Sequence, residues 1–438
     1  MPTAERAPRA WPFVGHAPLF LRDKLGLMER LARTGGPVAP VRLGPRRISL
    51  LCDPEDIRHV LVANARNYEK TPRLTSDGGR SLLGRGLLTS TGARHRPQRL
   101  LLQPLFHIRV LERFESVVHE TCARAVAEWP AAPELDLARA CALLARRVML
   151  VSLLGPGLGD DPGFLAAVEA RQRYIEHAFL SLLPFRDRLP TRVRREHLRA
   201  ARVIRGALDE AADAREAEPT EDLLSLLVAA RYEDGSPMER EVLLDEATTL
   251  LITGFETLGD ALAWTLYLVA AHPETERELL AELERERPAA ADDLRRCDLL
   301  QRVIAESLRL YPTTWIYVRV AQDADELPSG TALRGGDTLY VCPWVLHRDP
   351  SLHPDPGRFD PGRFEPAAVR GRPRHAYFPF GSGPRVCLGE SLARMELGLA
   401  VADLLPRLRL ELAPDADPTP VPRMTLTPRR LVVRARRR

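Results

Sequence analysis

Tyr377 to Glu396 reads YFPFGSGPRVCLGESLARME, and the rest of the chain is understood from this stretch outward. Its first part, Phe380 to Arg385, mixes glycines with a proline and suits neither a helix interior nor a regular strand. From Leu388 to Leu399 the Leu, Ala, Met and Glu content predicts a helix. Cys387 therefore stands at a loop-to-helix junction. There, free N–H groups and the positive end of a helix dipole favour thiolate over thiol, which makes the sulfur a strong ligand or nucleophile. A lone cysteine is more often plain buried core. The order of its neighbours argues otherwise.

Phe380, Gly383, Arg385, Cys387 and Gly389 fit the pattern F-x-x-G-x-R-x-C-x-G. On these five positions the stretch resembles the haem-ligand signature of the cytochrome P-450 family. The resemblance implies that the Cys387 thiolate ligates haem iron. Gly383 and Gly389 would let backbone lie close to a flat macrocycle, Phe380 would shield the sulfur from water, and Arg385 would pair with a haem propionate.

The composition is that of a globular chain able to bury a large core: 438 residues, 45% hydrophobic and 28% charged. Length alone suggests two or three domains, but no Ser/Gly linker or charge block divides the sequence. With 63 basic and 59 acidic residues the net charge is only +4, too balanced to suggest a nucleic-acid binder. Lys24 and Lys70 are the only lysines, an arginine bias that points to a GC-rich, bacterial genome. The six cysteines, Cys52, Cys122, Cys141, Cys297, Cys342 and Cys387, show no C-x-x-C spacing, so zinc and dithiol motifs are absent and a reducing compartment fits. The first twenty residues, MPTAERAPRAWPFVGHAPLF, hold charges and prolines rather than an apolar run of about eighteen. Neither a signal peptide nor a membrane anchor is expected, and the protein is read as cytosolic.

Val38 to Leu43 and Arg47 to Cys52 flank Gly44-Pro45 and predict a hairpin. Asp53-Pro54 then predicts a helix start, with Asp53 as N-cap. Gly78, Gly79, Gly84, Gly86 and Gly92 follow within a long segment of the kind that forms a binding loop. In GARHRPQRLLL, His95 and Arg99 are four apart and share a helix face, which by itself reads as a solvated basic helix. The family resemblance implies instead that the two hold haem propionates, His95 standing where many members have Trp. From Arg109 to about Ala230 the apolar spacing is helical, broken at Gly155-Pro156-Gly157, Pro184 and Pro190. Arg171 with Phe179, Leu182, Leu183 and Phe185 fits either core or an access roof.

Glu239 to Ala271 reads as one helix, stopped by His272-Pro273 and about 50 Å long at 1.5 Å per residue. Gly254, Thr257 and Ala261 share a face, a narrow groove with a hydroxyl in it. Thr253-Gly254-Phe255-Glu256-Thr257-Leu258 resembles the family's oxygen-binding stretch, with G-x-E-T intact and Thr253 and Leu258 departing from the usual residues. The resemblance implies that Thr257 serves oxygen activation while Glu256 feeds protons. The plainer reading is a back-bonded Thr and a surface Glu, but a Glu in an apolar helix needs a partner or a water channel.

Glu306 and Arg309, in ESLRLYP, are spaced i, i+3. The resemblance implies that they form a buried ion pair behind the cysteine loop, completed by Arg363 of Phe359-Asp360-Pro361-Gly362-Arg363-Phe364. Thr313 to Val318 alternates like a strand that presents Trp315 or Ile316 to substrate, and Arg319 matches a further propionate arginine. Thr338 to Val341 and Arg407 to Leu412 add a minor β component.

The motifs identify the chain as a member of the cytochrome P-450 family of soluble bacterial type: a mainly α fold with a small β component, one haem domain over residues 1–438 without a fused reductase. The resemblance implies monooxygenation with haem b and O₂, with NAD(P)H acting only through a ferredoxin and ferredoxin reductase, or a flavodoxin. Arg94, Arg96, Arg372, Arg374 and His375 are candidates for docking that acidic partner. Leu87, Leu250, Gly254, Trp315, Ile316 and Thr425 are pocket candidates, apolar or small, which fits a terpene, fatty acid, steroid or polyketide. No nucleic acid is expected, and the protein is read as a monomer. A peroxygenase or isomerase on the same cysteine, or a non-catalytic haem protein, are the rival readings.

Overall fold

The computed structural model describes residues 7–76, 79–80, 83–131, 133–180 and 191–438. Gly78 and the roof candidates Leu182, Leu183 and Phe185 lie outside them. The helices that carry the site are α1 (Gly92–Leu102), α2 (Leu137–Leu154), α3 (Pro162–Leu180), α4 (Arg192–Ala217), α5 (Arg240–Ala271), α6 (Asp298–Leu310) and α7 (Glu390–Leu404). Two compact units result, each assembled from two stretches of chain: Met1–Pro72 with Arg302–Cys387, and Arg73–Gln301 with Leu388–Arg438.

The first unit is built on a five-stranded sheet. Its strands are β1 (Val38–Leu43), β2 (Arg46–Leu51), β3 (Tyr68–Lys70), β4 (Tyr317–Ala321) and β5 (Thr338–Val341), in spatial order β1-β2-β5-β4-β3. The expected β1–β2 hairpin turns at Gly44, whose φ of +61° suits a residue without a side chain. Asp53 caps the following helix through bonds from the Glu55 and Asp56 N–H groups, with Pro54 at its first turn. β2 and β5 run parallel, pairing Ile48 with Thr338 and Leu51 with Val341. The strand expected from Thr313 begins only at Tyr317, because the chain leaving Pro312 first runs irregularly through Thr313 to Ile316. Trp315 is buried on that approach, and its carbonyl accepts a bond from the Cys342 thiol.

In the second unit α5 spans 32 residues, with Glu239 as its non-helical N-cap. That is about 48 Å at 1.5 Å per residue. Glycine lets α2 pack closely against it: a Cβ at Gly259 would lie 2.8 Å from the Ala142 Cα. The Trp264 indole, fully buried, donates to the Leu426 carbonyl at 2.8 Å and ties α5 to the C-terminal strands. Those are β6 (Leu408–Leu412), β7 (Asp417–Pro422), β8 (Leu426–Arg430) and β9 (Val432–Arg437), with β7 paired to β8 and β9 to β6. Near its start α5 grips the glycine-rich segment: Asp245 accepts from the Arg85 N–H and Glu246 from the Leu87 N–H. Among the described residues no helix is long and apolar enough to cross a membrane.

Candidate functional site

The cysteine loop belongs to the first unit. Gly381 and Gly383 adopt φ of +78° and +70°, a region that favours glycine. A Cβ on Gly383 would fall 1.9 Å from the Leu61 carbonyl oxygen. The absent side chain of Gly383 thus seats the loop on the backbone at Leu61, a different use from the cofactor approach expected of it. Gly389 has nothing within 4 Å of where its Cβ would be, so open space does lie beside that position. The Cys387 N–H donates to the Phe380 carbonyl at 2.9 Å, and this bond closes the loop that presents the sulfur. The helix begins at Glu390 rather than Leu388, since Gly389 sits outside helical geometry at φ −86°, ψ 15°. Cys387 consequently precedes the first helical turn.

Exposure singles out Cys387. None of the six cysteines is in a disulfide, and Cys387 alone is exposed; Cys122, Cys141, Cys297 and Cys342 are buried and Cys52 is half-buried. Burial pushes the Cys52 and Cys342 thiols up to about 12 and that of Cys297 up to about 11, so these remain protonated and inert.

Behind the loop, Glu306 and Arg309 are fully buried and bidentate: Nε to Oε2 at 2.6 Å and Nη2 to Oε1 at 2.8 Å. Arg309 Nη1 also donates to the His347 and Pro356 carbonyls, and Nη2 to that of Arg358. Every N–H of the guanidinium is therefore used. Arg363 completes the group with its Nε 3.5 Å from Glu306 Oε1, held there by the Pro354 and Asp355 carbonyls. The three residues come together as their spacing implied.

The basic residues divide into those already engaged and those left over. Arg385 pairs with Glu69 of β3 at 2.6 Å. Glu69 offsets one of the cations counted for two propionates, a partner that no sequence pattern indicated. Arg319 is 8% exposed, and its guanidinium makes one hydrogen bond among the described residues, to the Val318 carbonyl. Burial, with Arg385 nearby, lowers its pKa to about 10. Arg372 leaves the docking set: it donates to the Arg363 carbonyl and stacks over the Phe364 ring at 4.8 Å. His375 bonds to the Ser382 hydroxyl, which leaves Arg374 exposed in that segment.

In the second unit His95 is 8% exposed while Arg96 beside it is exposed, so that face of α1 is no solvated surface; Arg99 is half-buried. On α5 the Thr257 hydroxyl donates to the Thr253 carbonyl at 3.2 Å, the ordinary back-bond. Its oxygen keeps lone pairs with which to accept. The groove expected beside Gly254 is filled, because a Cβ there would come 2.6 Å from Met149 Cε. Gly254 makes room for a side chain of α2 rather than for a ligand.

Glu256 is half-buried rather than fully solvated. Its Oε2 is buried without a hydrogen-bond partner among the described residues. Burial, and then Asp260 and Glu176, raise its pKa to about 8 against the opposing pull of Arg423. Asp260, one turn further along and 8% exposed, is raised to about 7 by burial, against a bond from the Thr425 hydroxyl and the charge of Arg423. Sequence reading missed Asp260, although its i, i+4 spacing from Glu256 was there to find. Of the pocket candidates, Leu250, Leu87 and Ile316 are half-buried. An apolar cluster of Leu83, Ile175 and Ile252, with Leu74, Leu88 and Met424 against it, lies in the same unit as Glu256.

The sequence profile of the cytochrome P450 family matches residues 6–434. The chain belongs to this family. Cyclooctatin synthase of Streptomyces melanosporofaciens is 32% identical over 96% of this chain and 93% of that protein. Cyclooctat-9-en-7-ol 5-monooxygenase of the same organism is 34% identical over 94% and 90%. The structure of a retinoic-acid-bound cyanobacterial CYP120A1 superposes with a TM-score of 0.86 at 26% identity, covering 98% of each chain. The protein is a bacterial-type cytochrome P450, a haem-thiolate monooxygenase that uses haem b and O₂. P450 enzymes of this kind draw electrons from redox partners and bind hydrophobic substrates.

The residues present fit such a cofactor. An exposed cysteine stands on a closed loop, open space lies beside Gly389, and a buried guanidinium, Arg319, is bonded to a single carbonyl among the described residues. A buried cation of that kind calls for an anion.

Proposed function

We propose that this P450 hydroxylates an apolar small molecule, with Cys387 as the iron ligand and with Glu256 and Thr257 as the groups that manage protons. The observation that carries the reading is the contrast among the cysteines: one exposed on a closed loop, the others buried or half-buried. Haem, when bound, supplies the redox chemistry by which R–H, O₂, two electrons and two protons become R–OH and water. With haem bound, Phe380 would shield the sulfur, and Arg319, Arg385, His95 and Arg99 would hold the propionates. Glu256, with a pKa of about 8, holds a proton near neutral pH and can release it, as a proton donor must. The Thr257 oxygen accepts a hydrogen bond from water and so fixes where that proton is delivered. Glu306, Arg309 and Arg363 keep the loop in place and take no part in the chemistry.

The reading takes residues 1–438 as one haem domain, which the family match over residues 6–434 supports. The names of the relatives and the apolar cluster around Ile252 favour a terpene-like substrate over a polar one. A ferredoxin with its reductase supplies the electrons, and the exposed Arg96 and Arg374 suit an acidic partner.

The test is Cys387→Ser. The variant is expected to lose most haem and the red-shifted reduced carbon monoxide band of thiolate-ligated haem. A variant that kept the band would move the ligand elsewhere. Product formed with peroxide alone, and none with ferredoxin, reductase and NAD(P)H, would replace the monooxygenase by a peroxygenase.

A further inference from the structure

The second unit contains a cavity of about 580 Å³ that the reaction above does not use. Among the described residues Arg80, Arg85, Arg94, Arg171 and Arg205 line it against one carboxylate, Asp245. Over the whole chain basic and acidic residues nearly balance, at 63 to 59, so the excess here is local. The single acid is already engaged: Asp245 Oδ1 accepts from Arg205 Nη1 at 3.0 Å and Oδ2 from the Arg85 backbone N–H at 2.7 Å. The guanidinium groups of Arg80, Arg85 and Arg94 form no ion pair among the described residues. Arg94 is exposed, whereas Arg171 is only 6% exposed. Burial lowers the pKa of Arg171 to about 10, and Arg205 adds to that effect against Asp245. Guanidinium groups gathered on one cavity wall repel one another, and their planar geometry matches carboxylate or phosphate in bidentate fashion.

The same three segments turn apolar close by. Ile175 follows Arg171 by one turn of α3, Ile252 follows Thr248 by one turn of α5, and Leu83 precedes Gly84 in the chain; these three residues form one buried apolar cluster. Thr248, also on the cavity wall, lies on the same helix as Thr257, roughly 13 Å away at 1.5 Å per residue.

We propose that this cavity is an oxyanion site, which takes the carboxylate or phosphate head of an amphiphile whose apolar body follows α5 towards Thr257. The inference rests on the reading of an apolar substrate and narrows it to one with an acidic end. A held head fixes the distance from the anion to the reacting carbon, so the site would set regioselectivity as well as affinity.

The experiment titrates the holoenzyme by calorimetry at low ionic strength with tetradecanoate, tetradecyl phosphate, tetradecanol and inorganic phosphate alone, with the Soret band recorded in parallel. The acid and the phosphate ester are expected to bind about tenfold more tightly than the alcohol, an advantage that salt erodes. Arg85→Gln and Arg94→Gln, both at exposed positions, should each remove most of it without changing the affinity for the alcohol. Arg171→Met should remove all of it, and the two exposed variants carry the test if that buried change impairs folding. Binding of inorganic phosphate, with no preference for acid over alcohol, would support an oxyanion site and overturn the amphiphile as its occupant. Equal affinity for acid and alcohol in parent and variants, with no heat from phosphate, overturns the proposal. A normal reduced carbon monoxide band beside that result would leave the monooxygenase reading standing.

Discussion

Glu306 and Glu256 are both glutamates inside helices, and their surroundings are opposite. Glu306 receives Arg309 through two bonds and the Asp360 N–H through a third, with Arg363 close by. Glu256 has a buried oxygen with no hydrogen bond among the described residues, a carboxyl one turn away, and a pKa raised to about 8. The first arrangement gives each group it buries a partner. The second leaves desolvation uncompensated, so the carboxyl takes up a proton instead. Satisfied burial makes a strut; unsatisfied burial makes a proton store.

The largest effect expected from this contrast is the loss of the strut. Arg309→Ala would strand Glu306 without its partner at a cost of about 3–5 kcal/mol. Soluble yield and haem content measure it, and apoprotein or aggregate is the expected outcome. Recovery of Arg309→Ala as stable holoprotein with normal haem would erase the distinction between the two glutamates.

Changes at the proton store should instead spare the fold. Thr257→Ala is expected to bind haem and shift its spectrum with substrate as the parent does, while product per NAD(P)H falls several-fold and hydrogen peroxide rises. Glu256→Gln should slow turnover and enlarge the solvent isotope effect. Product and peroxide per electron pair report both. Parental coupling in Thr257→Ala, on a substrate lacking a hydroxyl near the reacting carbon, would remove the hydroxyl from the mechanism.

The smallest effect lies in the pH dependence of stability. Glu256 and Asp260, at about 8 and about 7, hold protons in the fold that they would lose in the unfolded chain, where carboxyls titrate near about 4. The stability this contributes is complete below about pH 4 and is lost as pH rises through 7 and then 8. Asp260→Asn should flatten that decline, raising the melting temperature by about 2 °C or more near pH 9 relative to its change near pH 5. Parallel melting profiles for parent and variant would mean that Asp260 is ionised in the fold.

What the sequence made legible was local. The cysteine loop, the Glu306–Arg309 pair and the long helix each follow from residues close together in the chain, where turn chemistry and helical spacing decide the outcome. What it hid depends on distant partners. Arg385 meets Glu69 across 316 residues of sequence, and Asp260 meets Thr425 from the opposite end of its unit. Gly254 was read as a groove for a ligand and proved to be the socket for Met149, because a missing side chain says that something comes close without saying what.

The parallel pairing of β2 with β5 has a consequence for how the protein is made. Leu51 leaves the ribosome roughly 290 residues before Val341, its partner in the sheet, a wait of about 15–60 s at ordinary translation speeds. Throughout that interval the N-terminal hairpin carries an unpaired edge, which is a template for the wrong strand. Yield in a foreign host should therefore track chaperone supply during synthesis more closely than it tracks the stability of the finished enzyme.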